Sequence, residues 1–123
     1  MEEIKISYQT AKLANLKGFD PDVKLRKNTH YSDLTESLDS LGIGGAVVVH
    51  HYYAATQSLL QKWLRESPYP IIITPTTDFI AWEVEIQHPD KDLIYIRNNS
   101  EGRWMNSYEE ALEIGLQEAL KLI

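Results

Sequence analysis

Asn106-Ser107-Tyr108-Glu109-Glu110-Ala111-Leu112 decides the C-terminal end of the fold. A serine stands three residues before a glutamate and directly ahead of an apolar run, the spacing of a helix capping box, so the helix is expected to start after Ser107. Tyr108, Ala111, Leu112, Gly115, Leu116, Ala119, Leu120 and Ile123 then recur at intervals of three and four. That stripe is a core face, and it leaves Glu109, Glu110, Glu113, Gln117, Glu118 and Lys121 to water. Gly115 lies mid-stripe, where it costs about 1 kcal/mol of helix propensity relative to Ala; close approach of another backbone would explain it.

Working back from this helix, Phe79 to Gln87 alternates Ile80, Trp82, Val84 and Ile86 with Ala81, Glu83, Glu85 and Gln87, a strand with one packed and one polar side. His88 to Asp92 is its hairpin loop, Leu93 to Arg97 a further strand, and Asn98 to Asn106 a loop that contains Trp104. Tyr69 to Thr74 reads as the strand before, apolar on both faces at Ile71, Ile72 and Ile73, with Pro75-Thr76-Thr77-Asp78 as the turn between. Ahead of it, Thr56 caps a helix whose stripe is Leu59, Leu60, Trp63 and Leu64; Gln57, Gln61, Lys62, Arg65 and Glu66 take the other side, and Ser67-Pro68 closes it.

The first 55 residues are less regular. Ile4 to Lys17 reads as a helix with Ser7 as N-cap and Gly18 as the C-terminal stop. Val23 to Tyr31 has no period and reads as a surface loop or an edge strand. Ser32 to Leu41 has helical spacing at Leu34, Ser37, Leu38 and Leu41, Gly42 to Gly45 ends it, and Ala46 to Tyr53 is a strand by its β-branched and aromatic content. The fold expected is therefore one α+β domain over residues 1–123: an antiparallel sheet of three strands, extendable to four or five, with two helices on one face in the order α-β-β-β-α. Residues 1–55 supply an N-terminal helix, a loop and an extra strand, and residues 56–123 the core.

Composition narrows the function classes. At 123 residues the chain can bury a core without disulfides or metals. It has no cysteine, which removes thiol nucleophiles and cysteine-ligated metal centres. No apolar run approaches the roughly 20 residues of a membrane span, the N-terminus lacks a signal-peptide pattern, and a cytoplasmic protein with no membrane role is expected. Net charge is −6; residues 1–55 carry 6 Lys+Arg against 7 Asp+Glu, and residues 56–123 carry 6 against 11. That balance opposes electrostatic binding to nucleic acid.

The run Ser58-Leu59-Leu60-Gln61-Lys62 in the first core helix, followed by three strands and a helix, resembles the double-stranded-RNA-binding domain in topology. That family places lysines at the start of its last helix and puts the first strand-strand loop in the minor groove. Here those positions hold Ser107-Tyr108-Glu109-Glu110 and Pro75-Thr76-Thr77-Asp78, acidic or neutral, so RNA binding does not carry over. Three other blocks resemble a family of small phage and prophage proteins of gut Bacteroidetes: Ile6-Ser7-Tyr8-Gln9-Thr10-Ala11-Lys12-Leu13-Ala14 with Lys17-Gly18-Phe19, then Thr56 to Glu66, then Tyr108 to Glu113 and Ala119 to Ile123. They cover about a third of the chain. The resemblance implies a phage-related cytoplasmic setting, and neither an activity nor catalytic residues.

Chemical constellations are few. His50 and His51 are adjacent on a strand, so they point to opposite faces and need His30 or His88 to form a metal site. Glu83 and Glu85 share a strand face about 7 Å apart, compatible with acid-base work and also with an ordinary solvated face. Gly42-Ile43-Gly44-Gly45 precedes a strand, the reverse of a phosphate loop. No catalytic residue, metal ligand or cofactor is assigned. The enzyme class stays open and a non-enzymatic role is favoured: an accessory protein working through a protein partner or self-association, with a divergent nucleic-acid-binding module as the alternative. The contact surface expected is Ile71, Ile72, Ile73, Tyr52 and Trp104, since two helices on one side leave the other sheet face uncovered.

Overall fold

The structure is a computed structural model that describes residues 4–19, 30–37, 47–53, 55–68 and 70–123, with only the backbone described for residues 30–37 and 47–53. Its elements are α1 (Tyr8–Leu16), β1 (His30–Ser37), β2 (Val47–Tyr53), α2 (Gln57–Arg65), β3 (Ile72–Thr77), β4 (Trp82–Gln87), β5 (Ile94–Ile96) and α3 (Tyr108–Leu120). An α+β architecture with a three-stranded antiparallel sheet, in the order β3-β4-β5, matches the expectation. The extra strand does not extend it. β2 pairs instead with β1 as a separate two-stranded antiparallel ribbon, His30 opposite Tyr53 and Ser37 opposite Val47. The helix expected over Ser32–Leu41 is thus corrected to strand as far as Ser37. A β-rich segment, Val47–Tyr53, supplies a ladder of non-local hydrogen bonds that a few apolar residues at helical spacing do not outweigh. The Gly42–Gly45 turn and most of Val23–Tyr31 lie outside the described residues.

Local signals place the helices. In α1 the Ser7 hydroxyl accepts from the Thr10 amide at 3.2 Å, and at the other end Phe19 N–H bonds the Ala14 carbonyl and Gly18 N–H the Asn15 carbonyl. That pair of bonds is a Schellman ending, and it requires the φ of +95° that Gly18 adopts. The motif turns Phe19 inward, where its ring meets Trp63 of α2 edge-on at 5.3 Å. Thr56 caps α2 and Ser107 caps α3 through the amides of Leu59 and Glu110. The glutamate of the capping box reaches one residue further back than the usual pattern, its Oε2 accepting from the Asn106 amide at 2.9 Å.

Strand β3 lies three residues later than the Tyr69–Thr74 reading, and Pro75-Thr76-Thr77 belongs to the strand and not to a turn. Proline is tolerated because β3 is an edge strand. The Ile73 carbonyl points away from β4 and accepts from Gln61 Nε2 of α2 at 2.9 Å. Two residues on, Pro75 faces the same way and has no N–H to offer. This edge is therefore closed to a further strand.

Ile71, Ile73, Val84 and Ile86 turn to the helices and are buried together with Leu60, Leu64, Ala111, Leu112, Leu116, Ala119 and Leu120. Gly115 is the tightest point of that layer. A Cβ there would stand 2.6 Å from Val84 Cγ2 and 2.7 Å from Ile73 Cγ2, so the close approach comes from sheet side chains and not from another backbone. Gly115→Ala gains about 1 kcal/mol of helix propensity but overpacks two β-branched side chains, at a cost of roughly 1–3 kcal/mol. Urea unfolding should show a net loss of about 1 kcal/mol; an unchanged or higher midpoint would mean that α3 shifts freely over the sheet.

Candidate functional site

Each sequence-derived candidate has a definite place. In β2, His50 is opposite Asp33 and His51 opposite Ser32, with side chains outside the described residues, and His30 is opposite Tyr53 at the far end of β1. His88 Nδ1 accepts from the Asp90 amide at 3.0 Å and shapes the β4–β5 loop. Among the described residues no three His, Cys, Asp or Glu side chains converge to hold a metal ion. Glu83 and Glu85 do share the outer face of the sheet, but Glu83 pairs with Arg97 at 2.8 Å and Glu85 with Gln87 Nε2 and Tyr95. The two carboxylates thus have different side-chain partners.

The expected contact surface divides. Ile71 and Ile73 are core residues, a correction that follows from strand alternation: only Ile72 of the three points outward, 43% exposed. Its neighbours on that face are Thr74, Thr76, Glu83, Glu85 and Gln87, with Tyr95 opposite Glu85, so the face left uncovered by the helices is mainly polar. Trp104 is 60% exposed. Tyr52 lies opposite Tyr31 in the ribbon, its side chain outside the described residues.

Two helical residues assigned to water are instead inside a polar knot. Glu113 Oε2 accepts from the Ser7 amide at 3.0 Å and from the Thr10 hydroxyl, and Oε1 accepts from Gln57 Nε2 at 3.0 Å. Gln57 also donates to the Glu109 carbonyl, and Gln117 Nε2 donates to Thr10 Oγ1 at 2.9 Å. Since the single Thr10 proton goes to Glu113, the Ser7 hydroxyl must be the donor in its 3.0 Å bond to Thr10 Oγ1. A hydroxyl beside a carboxylate suggests a nucleophile and base. Thr10 is fully buried, however, and its lone pairs are filled, so the arrangement clamps α1 and α2 to α3. Thr10→Val leaves Gln117 and Glu113 each short of a partner and should cost about 1–3 kcal/mol in urea unfolding. In a double-mutant cycle with Glu113→Gln the two losses should be non-additive; strict additivity would break the clamp into unrelated contacts.

The feature that sequence reasoning missed is the β3–β4 turn. The strand was expected to begin at Phe79; β4 begins at Trp82, and the four residues Asp78, Phe79, Ile80 and Ala81 form the loop beyond the last pair, Thr77 with Trp82, with Phe79-Ile80 at its tip. Asp78 Oδ1 accepts from the amides of Ile80 and Ala81 at 3.0 and 3.1 Å. Thr77 Oγ1 accepts from Phe79 N–H and donates to the Ala81 carbonyl. These bonds hold Phe79 at φ +75°, in the left-handed region where glycine is preferred. Phe79 is 99% exposed and Ile80 73% exposed. Thr77-Asp78 carried the signal, because threonine and aspartate bond to the backbone two and three residues on.

Beside the turn opens a pocket of about 270 Å3, with Ile80, Ala81, Trp82 and Trp104 as its apolar lining and Asp78, Glu83, Arg97 and Asn98 as its polar lining. Trp82 is braced by Tyr108, edge to face at 5.8 Å. Two bridges, Trp82 with Met105 and Asn98 with Trp104, hold the loop after β5 against the sheet and so place Trp104. Arg97 spans both acids, Nε to Glu83 at 2.8 Å and Nη2 to Asp78 at 3.5 Å.

The backbone N–H groups of Ala81 and Ile80, with a smaller effect from Arg97, hold the Asp78 carboxyl below its usual range. A carboxyl lowered in the folded state contributes stability above its unfolded value of about 3.9, lost as pH falls through the folded value. On the outer face, Tyr95 is pushed up by partial desolvation and then by its bond to Glu85 and the charges of Glu85 and Glu83. No family model, curated protein or solved structure matches the chain. Among the described residues, no helix is long and apolar enough to cross a membrane. Acid titration followed by NMR should move the Ile80 and Ala81 amides together, with a midpoint below 3.9; a midpoint at or above that value would mean that the carboxylate does not hold the turn.

Proposed function

We propose that this chain is a non-enzymatic accessory module in the phage-related cytoplasmic setting implied by its likeness to phage and prophage proteins, and that it binds a protein segment through the β3–β4 turn and Trp104. The observation that carries this reading is Phe79. A bulky residue held at positive φ costs about 1–2 kcal/mol, and a fully exposed ring returns nothing to the fold. Such strain on an exposed aromatic side chain is accounted for by contact outside the chain. The patch is also small. Two aromatic rings at roughly 150–250 Å2 each fall short of the roughly 800 Å2 per partner that a stable dimer buries, which favours a short segment over a second copy.

The nucleic-acid alternative has the helix-strand-strand-strand-helix order in its favour. Arg97 faces Asp78 and Glu83, and Arg103 lies 3.9 Å from Glu101, so these guanidiniums are matched within the protein and offer little to phosphates.

Phe79→Gly separates the contact role from a structural one. Relief of strain offsets the roughly 0.5–1 kcal/mol that a glycine costs in chain entropy, so the fold should keep or gain stability. Random-peptide display on the immobilised protein should yield sequences that bind the native chain, lose binding to Phe79→Gly and Trp104→Ala, and keep it for Ile72→Thr on the far face. Light scattering at low salt should show no shift with a short RNA duplex. Absence of any peptide dependent on Phe79, or a mass shift with the duplex, would overturn the proposal.

A further inference from the structure

We infer that the pocket beside the turn receives an arginine or lysine side chain of the bound segment. This rests on the reading of the β3–β4 turn as a contact surface and names what that surface selects. The pocket walls carry two carboxylates, Asp78 and Glu83, against one guanidinium, Arg97. Arg97 is already engaged by both acids. An incoming anion therefore finds no unmatched positive charge, whereas an incoming cation meets net negative walls on a chain of net charge −6.

The rest of the lining fits the same occupant. Ile80, Trp82 and Trp104 offer apolar surface along which the stem of a long basic side chain can lie. The two indoles in the lining also carry π-systems that attract an ammonium or guanidinium placed over the ring, most strongly once water is displaced. Trp82 is held by Tyr108, so one wall is fixed before binding. A volume of about 270 Å3 is just under the roughly 300–1,000 Å3 of cofactor and small-molecule sites, which suits a single side chain. Phe79, outside the pocket at the turn tip, is then free to pack against an apolar neighbour of the basic residue.

The test uses the full chain and blocked pentapeptides of glycine and leucine with arginine, lysine, citrulline or glutamate at the centre. Binding is read from the tryptophan indole and backbone amide signals in NMR spectra. The arginine and lysine peptides should shift the indoles of Trp82 and Trp104 and bind roughly tenfold tighter than the uncharged citrulline peptide, weakening as salt is raised. Trp104→Ala should abolish the shifts. Arg97→Gln should tighten binding several-fold by leaving Asp78 and Glu83 unopposed; its side chain is 68% exposed, and unchanged signals around Glu113 would verify that the fold persists.

Citrulline or glutamate peptides binding as well as arginine, no shift with any peptide, or lost binding in Arg97→Gln would overturn the assignment. Peptides selected by display that depend on Phe79 yet contain no basic residue would remove this inference alone and leave the contact surface standing. A selection with no Phe79-dependent peptide would remove the contact surface itself.

Discussion

The Glu113 carboxylate is the constraint on which the rest of this small fold depends. Three donors reach it from the α1 cap, the first turn of α1 and the start of α2. A carboxylate set among helices is costly unless its oxygens are paired, and here the pairing itself forces the N-terminal segment into place. The bonds between Ile6 and Ala55 and between Gln57 and Ile4 follow from that placement. They carry the chain into α2 and orient its apolar stripe over Ile71 and Ile73. The hydrophobic layer provides the bulk of the stabilisation, while the polar knot determines which helix meets which.

What the sequence made legible was local. Caps at Ser7, Thr56 and Ser107, the Gly18 ending and the stripes of α2 and α3 each depend on residues within a turn of one another. The missed features depend on partners far along the chain. Gln57 and Glu113 occupy polar positions on amphipathic helices, and nothing near them reveals that their partners are 56 residues apart or, for Thr10, 103 apart. The β1–β2 ribbon outweighed helical spacing over Ser32–Ser37 for the same reason. In β3 the error was chemical: Pro75 signals a turn in most settings, but an edge strand whose exposed carbonyl is already satisfied tolerates it.

Of the residues expected at the contact surface, Trp104 and Ile72 are exposed, and Ile71 and Ile73 are buried. Ile71 and Ile73 were grouped with them because three consecutive isoleucines hide which of two faces each occupies until the register is fixed. Phe79 and Ile80 escaped notice because Ile80 continues the apolar register of Trp82, Val84 and Ile86, and Phe79 directly precedes it. Only the side-chain bonds of Thr77 and Asp78, which end the ladder at Trp82 and not at Phe79, separate turn from strand.

The closed edge of β3 also matters for how the molecule can behave in company. Sheets with a free edge recruit further strands, including those of their own copies, and concentration then turns a soluble chain into fibres. With Gln61 on the Ile73 carbonyl and no amide at Pro75, one side of this sheet is a terminus by construction, and the opposite edge is β5, only three residues long. Recognition is thereby diverted from backbone to side chains. The three-stranded sheet can thus carry exposed aromatics beside it without offering β3 as a template for strand addition.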